Sequence, residues 1–200
     1  MAGGRALVLA GTGMLPEVVE ALVAEGWHVV LPSRRYSPIA EPETKPGIAA
    51  LRKLRPRGNR PTANGAKGRG PRAIWVEAHW DRPRELAGKA GSALGGPADL
   101  LVAWVHEQYR RSVLGACERL LAPGAPVVEV RGAGGPQDHP EPVLAAHPTQ
   151  LVLVGAISEV GDRPMGHAEV SQGVLEAVSR AAAGRPASLH QLGQSRPLVL

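Results

Sequence analysis

The residues best suited to chemistry come early: Gly11, Thr12 and Gly13, followed by Met14 and Leu15. They separate a short apolar run at residues 6–10 (ALVLA) from a stretch in which Leu15, Val18, Val19, Leu22 and Val23 recur at helical spacing. A glycine turn between a strand and a helix is the arrangement that holds a pyrophosphate. The first N–H groups of the helix have no partner of their own and face the anion. A side chain at position 13 would fill the space the phosphate needs. Written as G-x-G-x-x-G the pattern is Gly11, Gly13 and Pro16; written as G-x-x-G-x-x-G it is Ala10, Gly13 and Pro16. Proline suits the first turn of a helix, where its missing N–H would be unpaired anyway. Strand before and helix after favour a nucleotide site over a plain strand–turn–helix.

A site of this kind for NAD places a carboxylate on the ribose hydroxyls about 20 residues beyond the glycines. Here that region reads Leu31-Pro32-Ser33-Arg34-Arg35, without a carboxylate. A hydroxyl and two guanidiniums suit a 2′-phosphate, because arginine offers planar, charge-assisted donors to phosphate oxygens. The expected cofactor is therefore NADP rather than NAD, with a solvated basic loop as the alternative.

Two further groups stand where strands should end. His79, Trp80 and Asp81 follow an apolar run at residues 73–78 (AIWVEA), a position where adenine-contacting side chains sit in such sheets. Asp81 has an equal reading as a helix cap, since Pro83 follows it. His106 and Tyr109 follow residues 99–105 (DLLVAWV), the strongest strand pattern in the chain and the one expected at its centre. Open α/β sheets bind ligands at that end. His106 reads equally as a helix cap. His139 and His147 lie in a segment rich in Gly and Pro, and they signal a metal only weakly.

The elements that must position these groups alternate along the chain. Strands are expected at 6–10, 27–31, 73–78, 99–105, 127–130 and 151–157, with a last short one at 189–192. Helices are expected from Leu15 to the stop at Gly26, then at 83–94, 107–121 and about 166–183, with residues 131–150 irregular. Two helical turns at 47–54 are a weaker expectation. The alternation implies an α/β fold: a doubly wound, mostly parallel Rossmann sheet in three αβα layers, with right-handed crossovers.

Two hundred residues suit a single domain, with a basic, flexible insertion at about residues 55–71. Between Lys45 and Arg72 there are nine basic residues and no acidic one, which leaves 14 basic against 18 acidic elsewhere. The net charge of +5 thus belongs to one segment. That segment carries no aromatic residue to stack on bases, so a solvated insertion is preferred to nucleic-acid binding. Phenylalanine is absent, so Leu, Val, Ala and four Trp must fill the core. No apolar stretch is long enough to span a membrane, and no signal-peptide layout is present. A lone Cys117 excludes an internal disulfide framework, fits a cytoplasmic setting, and sits where a helix should bury it.

Three stretches carry a resemblance. Residues 10–15 (AGTGML), Trp104-Val105-His106 and residues 163–174 (RPMGHAEVSQGV) resemble the GGTGML, W-I-H and R-W-L-T-H-x-E-I-S-x-G-V motifs of a bacterial group of short-chain-dehydrogenase-like, NAD(P)-binding Rossmann proteins. The likeness covers most of the chain except residues 36–72. It implies dinucleotide binding and adds Trp104 to the cofactor-contacting candidates. Classical members of the wider superfamily use a Tyr-x-x-x-Lys pair with an upstream Ser. Here the two tyrosines, Tyr36 and Tyr109, are followed four residues later by Ala40 and Val113. A tyrosine near its free pKa of about 10 is a poor proton partner at neutral pH.

The expectation is an NADP(H)-binding, nominal oxidoreductase without the Ser-Tyr-Lys machinery, with His106 or Tyr109 as the best available proton donors to a small-molecule substrate. The alternative is a non-catalytic dinucleotide sensor or subunit. A homo-oligomer would be ordinary for such a fold.

Overall fold

The computed structural model describes residues 3–10, 15–34, 72–132, 141–158 and 163–194. Seven strands form one sheet: β1 (Arg5–Ala10), β2 (His28–Ser33), β3 (Arg72–Glu77), β4 (Leu100–Trp104), β5 (Val127–Gly132), β6 (Thr149–Val154) and β7 (Ser188–Leu192). Their spatial order is β3-β2-β1-β4-β5-β6-β7, and every pairing is parallel. The helices are α1 (Pro16–Ala24), α2 (Pro83–Leu94), α3 (Glu107–Cys117) and α4 (His167–Ala182). The sheet is Rossmann-like and wholly parallel, and β4 lies at its centre as expected.

The reason for the unbroken apolar runs is visible in β1. Ala6, Val8 and Ala10 pack with Val18, Val19 and Leu22 of α1 and Val170, Val174 and Val178 of α4. Leu7 and Leu9 face the other way, against Leu86 and Ala90 of α2 and Val113, Leu114 and Cys117 of α3. A strand covered on both faces has no position for a polar residue. Burial pushes the Cys117 thiol up to about 12, so it is a small core side chain and not a nucleophile.

Placement of the helices sets the crossover hand. The connections β1–α1–β2, β3–α2–β4 and β4–α3–β5 share one hand, because the direction of travel across the sheet and the face used change together. From β6 to β7 the chain travels in the same direction as from β4 to β5, yet α4 lies on the α1 face. That crossover has the opposite hand, against the strong preference for right-handed connections on which the sequence expectation rested.

Several boundaries depart from expectation. The segment 131–150 is not irregular throughout: β5 continues to Gly132 and β6 begins at Thr149. At the far end β6 stops at Val154, and Ile157 instead makes antiparallel bridges to Pro164 and Gln194. The helix expected over 107–121 is α-helical only to Cys117 and tightens into a 3-10 turn over Glu118–Leu120. Helix α2 ends at Gly95, whose φ of 64° is left-handed, a cap that glycine adopts without strain. The helix expected at 47–54 and the basic stretch 55–71 lie outside the described residues.

The edge strand β7 is held partly by polar contacts. Gln150 on β6 donates from Nε2 to the Pro186 carbonyl at 2.7 Å, and its Oε1 lies 2.9 Å from His190 Nε2. Burial, then the nearby Arg180, lower the His190 pKa from its ordinary value, against a smaller opposing pull from Glu176. The unfolded chain therefore takes up a proton at higher pH than the native one. Native stability should fall as pH drops below about 6.5, and His190→Gln should flatten part of that slope in chemical-denaturation titrations. At the end of β6, a Cβ on Gly155 would lie 2.6 Å from the Gln194 carbonyl oxygen, a backbone atom. Gly155→Ala should cost about 1–3 kcal/mol in the same assay through overpacking.

Candidate functional site

Parallel strands bring all their carboxyl ends to one edge, and most of the candidate residues emerge there. Ala10 of β1 pairs with Trp104 of β4, and Ser33 of β2 pairs with Glu77 of β3. Ser33 is buried, and Arg34 follows it exposed to solvent. Among the described residues no carboxylate pairs with Arg34. His79 and Asp81 are exposed, while Trp80 is half-buried. Trp80 and Tyr109 meet with ring centroids 6.3 Å apart at an interplanar angle of 57°. His106 is exposed directly beyond β4.

The alternation of β4 sorts these groups between the two faces. Trp104 packs against the α1/α4 core, whereas Trp80 and Tyr109 pack against the α2/α3 core. Gly11, Thr12, Gly13, Met14 and Arg35 lie outside the described residues. Leu15 is the residue before α1, and its side chain is buried in the α1/α4 core. Only its backbone is placed to meet a ligand.

Both capping alternatives are corrected. The position before α2 is taken by Arg82, with no side-chain cap, so Asp81 does not cap that helix. The turn leading into it is closed by backbone, with the Arg82 N–H donating to the His79 carbonyl at 3.1 Å. His106 does stand at the start of α3, but its side chain makes no cap bond there. Its carbonyl accepts the Tyr109 and Arg110 N–H groups instead. The His147 ring nitrogen Nδ1 lies 2.8 Å from the Ala125 carbonyl oxygen, and among the described residues no group of three His, Cys, Asp or Glu could hold a metal. His139 lies outside them.

Two polar assemblies near this edge were not anticipated as interactions. One joins the first helix to the last. Ser171 on α4 donates to Glu17 Oε2 on α1 at 2.9 Å, and His167 Nδ1 lies 3.3 Å from Glu17 Oε1. The Glu17 pKa is lowered first by its own backbone N–H; desolvation opposes this, and Ser171 and His167 lower it further. Glu169 fixes the entry of the same helix, accepting from the Ser158 hydroxyl, from the Gly166 N–H at 2.9 Å and from Arg163 at 2.8 Å. Those donors, Ser158 first, lower its pKa. The conspicuous H-A-E-V-S stretch is thus a fastening device. His167 and Ser171, one turn apart, face α1, and Glu169 between them turns back to its own loop.

The other assembly is buried beneath α3. Glu129 of β5 is 1% exposed and accepts from Arg131 Nε at 2.8 Å and from the Val143 N–H at 3.1 Å. Arg110 of α3 packs beside it, with Nε 3.9 Å from Glu129 Oε1. The sequence signal was a charge inside the valine run V-V-E-V-R, with Arg131 two residues on and hence on the same strand face.

Comparison with solved structures places this architecture. A doubly substituted short-chain dehydrogenase/reductase of Serratia marcescens superposes with a TM-score of 0.58 at 12% identity, over 96% of each chain. A Brucella melitensis protein described as a short-chain dehydrogenase/reductase, glucose/ribitol dehydrogenase, gives 0.57 at 14% identity, over 96% of this chain and 95% of that one. The likeness is of fold. An NADH-dependent reductase solved in complex with NAD gives 0.55 at 14% identity, over 96% and 95%. No family model and no curated protein matches the sequence. A groove of about 530 Å³ lies at the opposite, amino edge of the sheet, lined in part by Trp27, Asp99, Pro126 and Arg185. It is remote from the strand ends on which the candidate residues converge.

Ser171→Ala should remove one hydrogen bond to a carboxylate. Unfolding free energy should fall by about 1–2 kcal/mol, read by urea denaturation at neutral pH. An unchanged midpoint would show that the Ser171–Glu17 hydrogen bond adds nothing to the α1–α4 contact.

Proposed function

We propose that the chain binds NADP(H) at the carboxyl edge of the sheet as a short-chain-dehydrogenase-like protein, nominally an oxidoreductase. The observation that carries this reading is the end of β2. The buried Ser33 and exposed Arg34 stand where the ribose of a dinucleotide would be recognised, and among the described residues no carboxylate pairs with Arg34. A carboxylate there would favour free ribose hydroxyls, while a guanidinium favours a 2′-phosphate. The fold shared with a short-chain dehydrogenase/reductase and with an NADH-dependent reductase solved in complex with NAD supports the dinucleotide. The glycines at positions 11 and 13 would take its pyrophosphate.

NADPH, when bound, supplies a hydride; the protein's part is to orient the partners and move a proton. Exposed His106 is the best available proton donor, and half-buried Tyr109 is the other candidate. The residue four beyond Tyr109 is Val113, which is fully buried in the α2/α3 core. A lysine cannot occupy that position without burying its charge, so Tyr109 has no partner of the classical kind on its own helix. That observation favours a second reading, in which the protein binds the dinucleotide without turnover, as a sensor or subunit. A reducing, cytoplasmic setting suits either reading.

Calorimetric titration with NADPH and NADH tests the proposal. NADPH should bind more tightly than NADH. Gly13→Asp should abolish binding of both, and Arg34→Ala should weaken NADPH roughly tenfold, the loss of a charge-assisted contact, while leaving NADH nearly unchanged. Failure of wild-type protein to bind either nucleotide would refute it.

A further inference from the structure

The charges that the described residues bury beneath α3 do not balance. Among the described residues, Arg110, Glu129 and Arg131 form one buried or nearly buried group, with side-chain exposures of 9%, 1% and 12%. Glu129 is already satisfied without Arg110, since Arg131 and the Val143 N–H bind its two oxygens. Arg131 is satisfied as well, because it also donates to the Glu141 carbonyl at 2.8 Å. One positive charge is left over, on Arg110. Its Nε makes no hydrogen bond although it is buried from solvent; Glu129 Oε1, already bound by Arg131, stands 3.9 Å away, an ion-pair distance too long for a hydrogen bond. Its NH1 is taken by the Glu107 carboxylate, one turn back on the same helix, and that side chain is 77% exposed.

A buried guanidinium ordinarily meets a carboxylate that is buried with it. An exposed glutamate is a weak and dispensable partner, because rotating its side chain into water costs little. We propose that Arg110 recognises an anionic group, a carboxylate or a phosphate, on the protein's substrate, and that Glu107 is the internal anion which that group displaces. This inference rests on the reading of the carboxyl edge as the site of chemistry. Arg110 is on the opening turns of α3, which begins directly after β4 and His106, and next to Tyr109. An anion held by Arg110 would tether a substrate beside both candidate proton donors. Once Glu107 is displaced, NH1 offers a charge-assisted donor to an oxygen of either group.

Acetate and inorganic phosphate, titrated separately by calorimetry with and without saturating NADPH, test the proposal. Glu107→Gln removes the competing charge at an exposed position. It should tighten binding of at least one probe about tenfold over wild type, and which probe responds identifies the group. The gain should vanish in Glu107→Gln/Arg110→Gln. That double variant leaves Glu129 paired with Arg131, and a thermal midpoint for each variant verifies that it is folded. A purely structural Arg110 predicts no gain from Glu107→Gln. An unchanged affinity for both probes, or a gain that persists without Arg110, would overturn the proposal. The NADPH titration reports separately. A chain that binds no dinucleotide but shows the Arg110-dependent gain would sink the cofactor reading and leave an anion site.

Discussion

Burial of the central strands on both faces is the constraint from which the rest of this molecule follows. Once β1 and β4 are sealed between two layers of helices, neither face of those strands can meet a ligand. Chemistry is driven to the strand ends. The parallel arrangement then collects Ala10, Ser33, Glu77 and Trp104 along a single border. Polar groups that enter the interior mostly come in matched sets, as Glu129 does with Arg131 and Gln150 with the Pro186 carbonyl.

The same constraint made the middle of the fold legible. A strand with no exposed face writes itself as an unbroken apolar run, and α1 shows a helical stripe because only one of its sides is covered. Legibility failed where burial and polarity coincide. Arg131 in β5 and Thr149 and Gln150 at the start of β6 look like loop residues, yet each is paired within the sheet region. Ile157 misled in the opposite sense. It is apolar enough to prolong β6, but its backbone is taken by antiparallel partners from another part of the chain.

The candidate site divides along the same line. Its location could be read from the order of elements, and residues such as His79 and His106 stand at strand ends because of that order. Its interactions could not be read, since they join residues far apart in the chain. Nothing local to Glu17 announces Ser171, and nothing local to Arg110 announces Glu129. The conspicuous pattern around His167 marked that these residues mattered without revealing that they fasten one helix to another.

The clasp between Glu17 and Ser171 closes a separation of 154 residues. Closing so long a loop is entropically slow, and contacts of this kind are among the last to form. During synthesis, helix α1 must therefore wait, with one apolar flank uncovered, until α4 has been made. Maturation of the amino-terminal half is governed by the arrival of the carboxyl-terminal helix. A chain arrested before that point would expose the surface on which α4 belongs, making the nascent protein a natural client for chaperones during the interval.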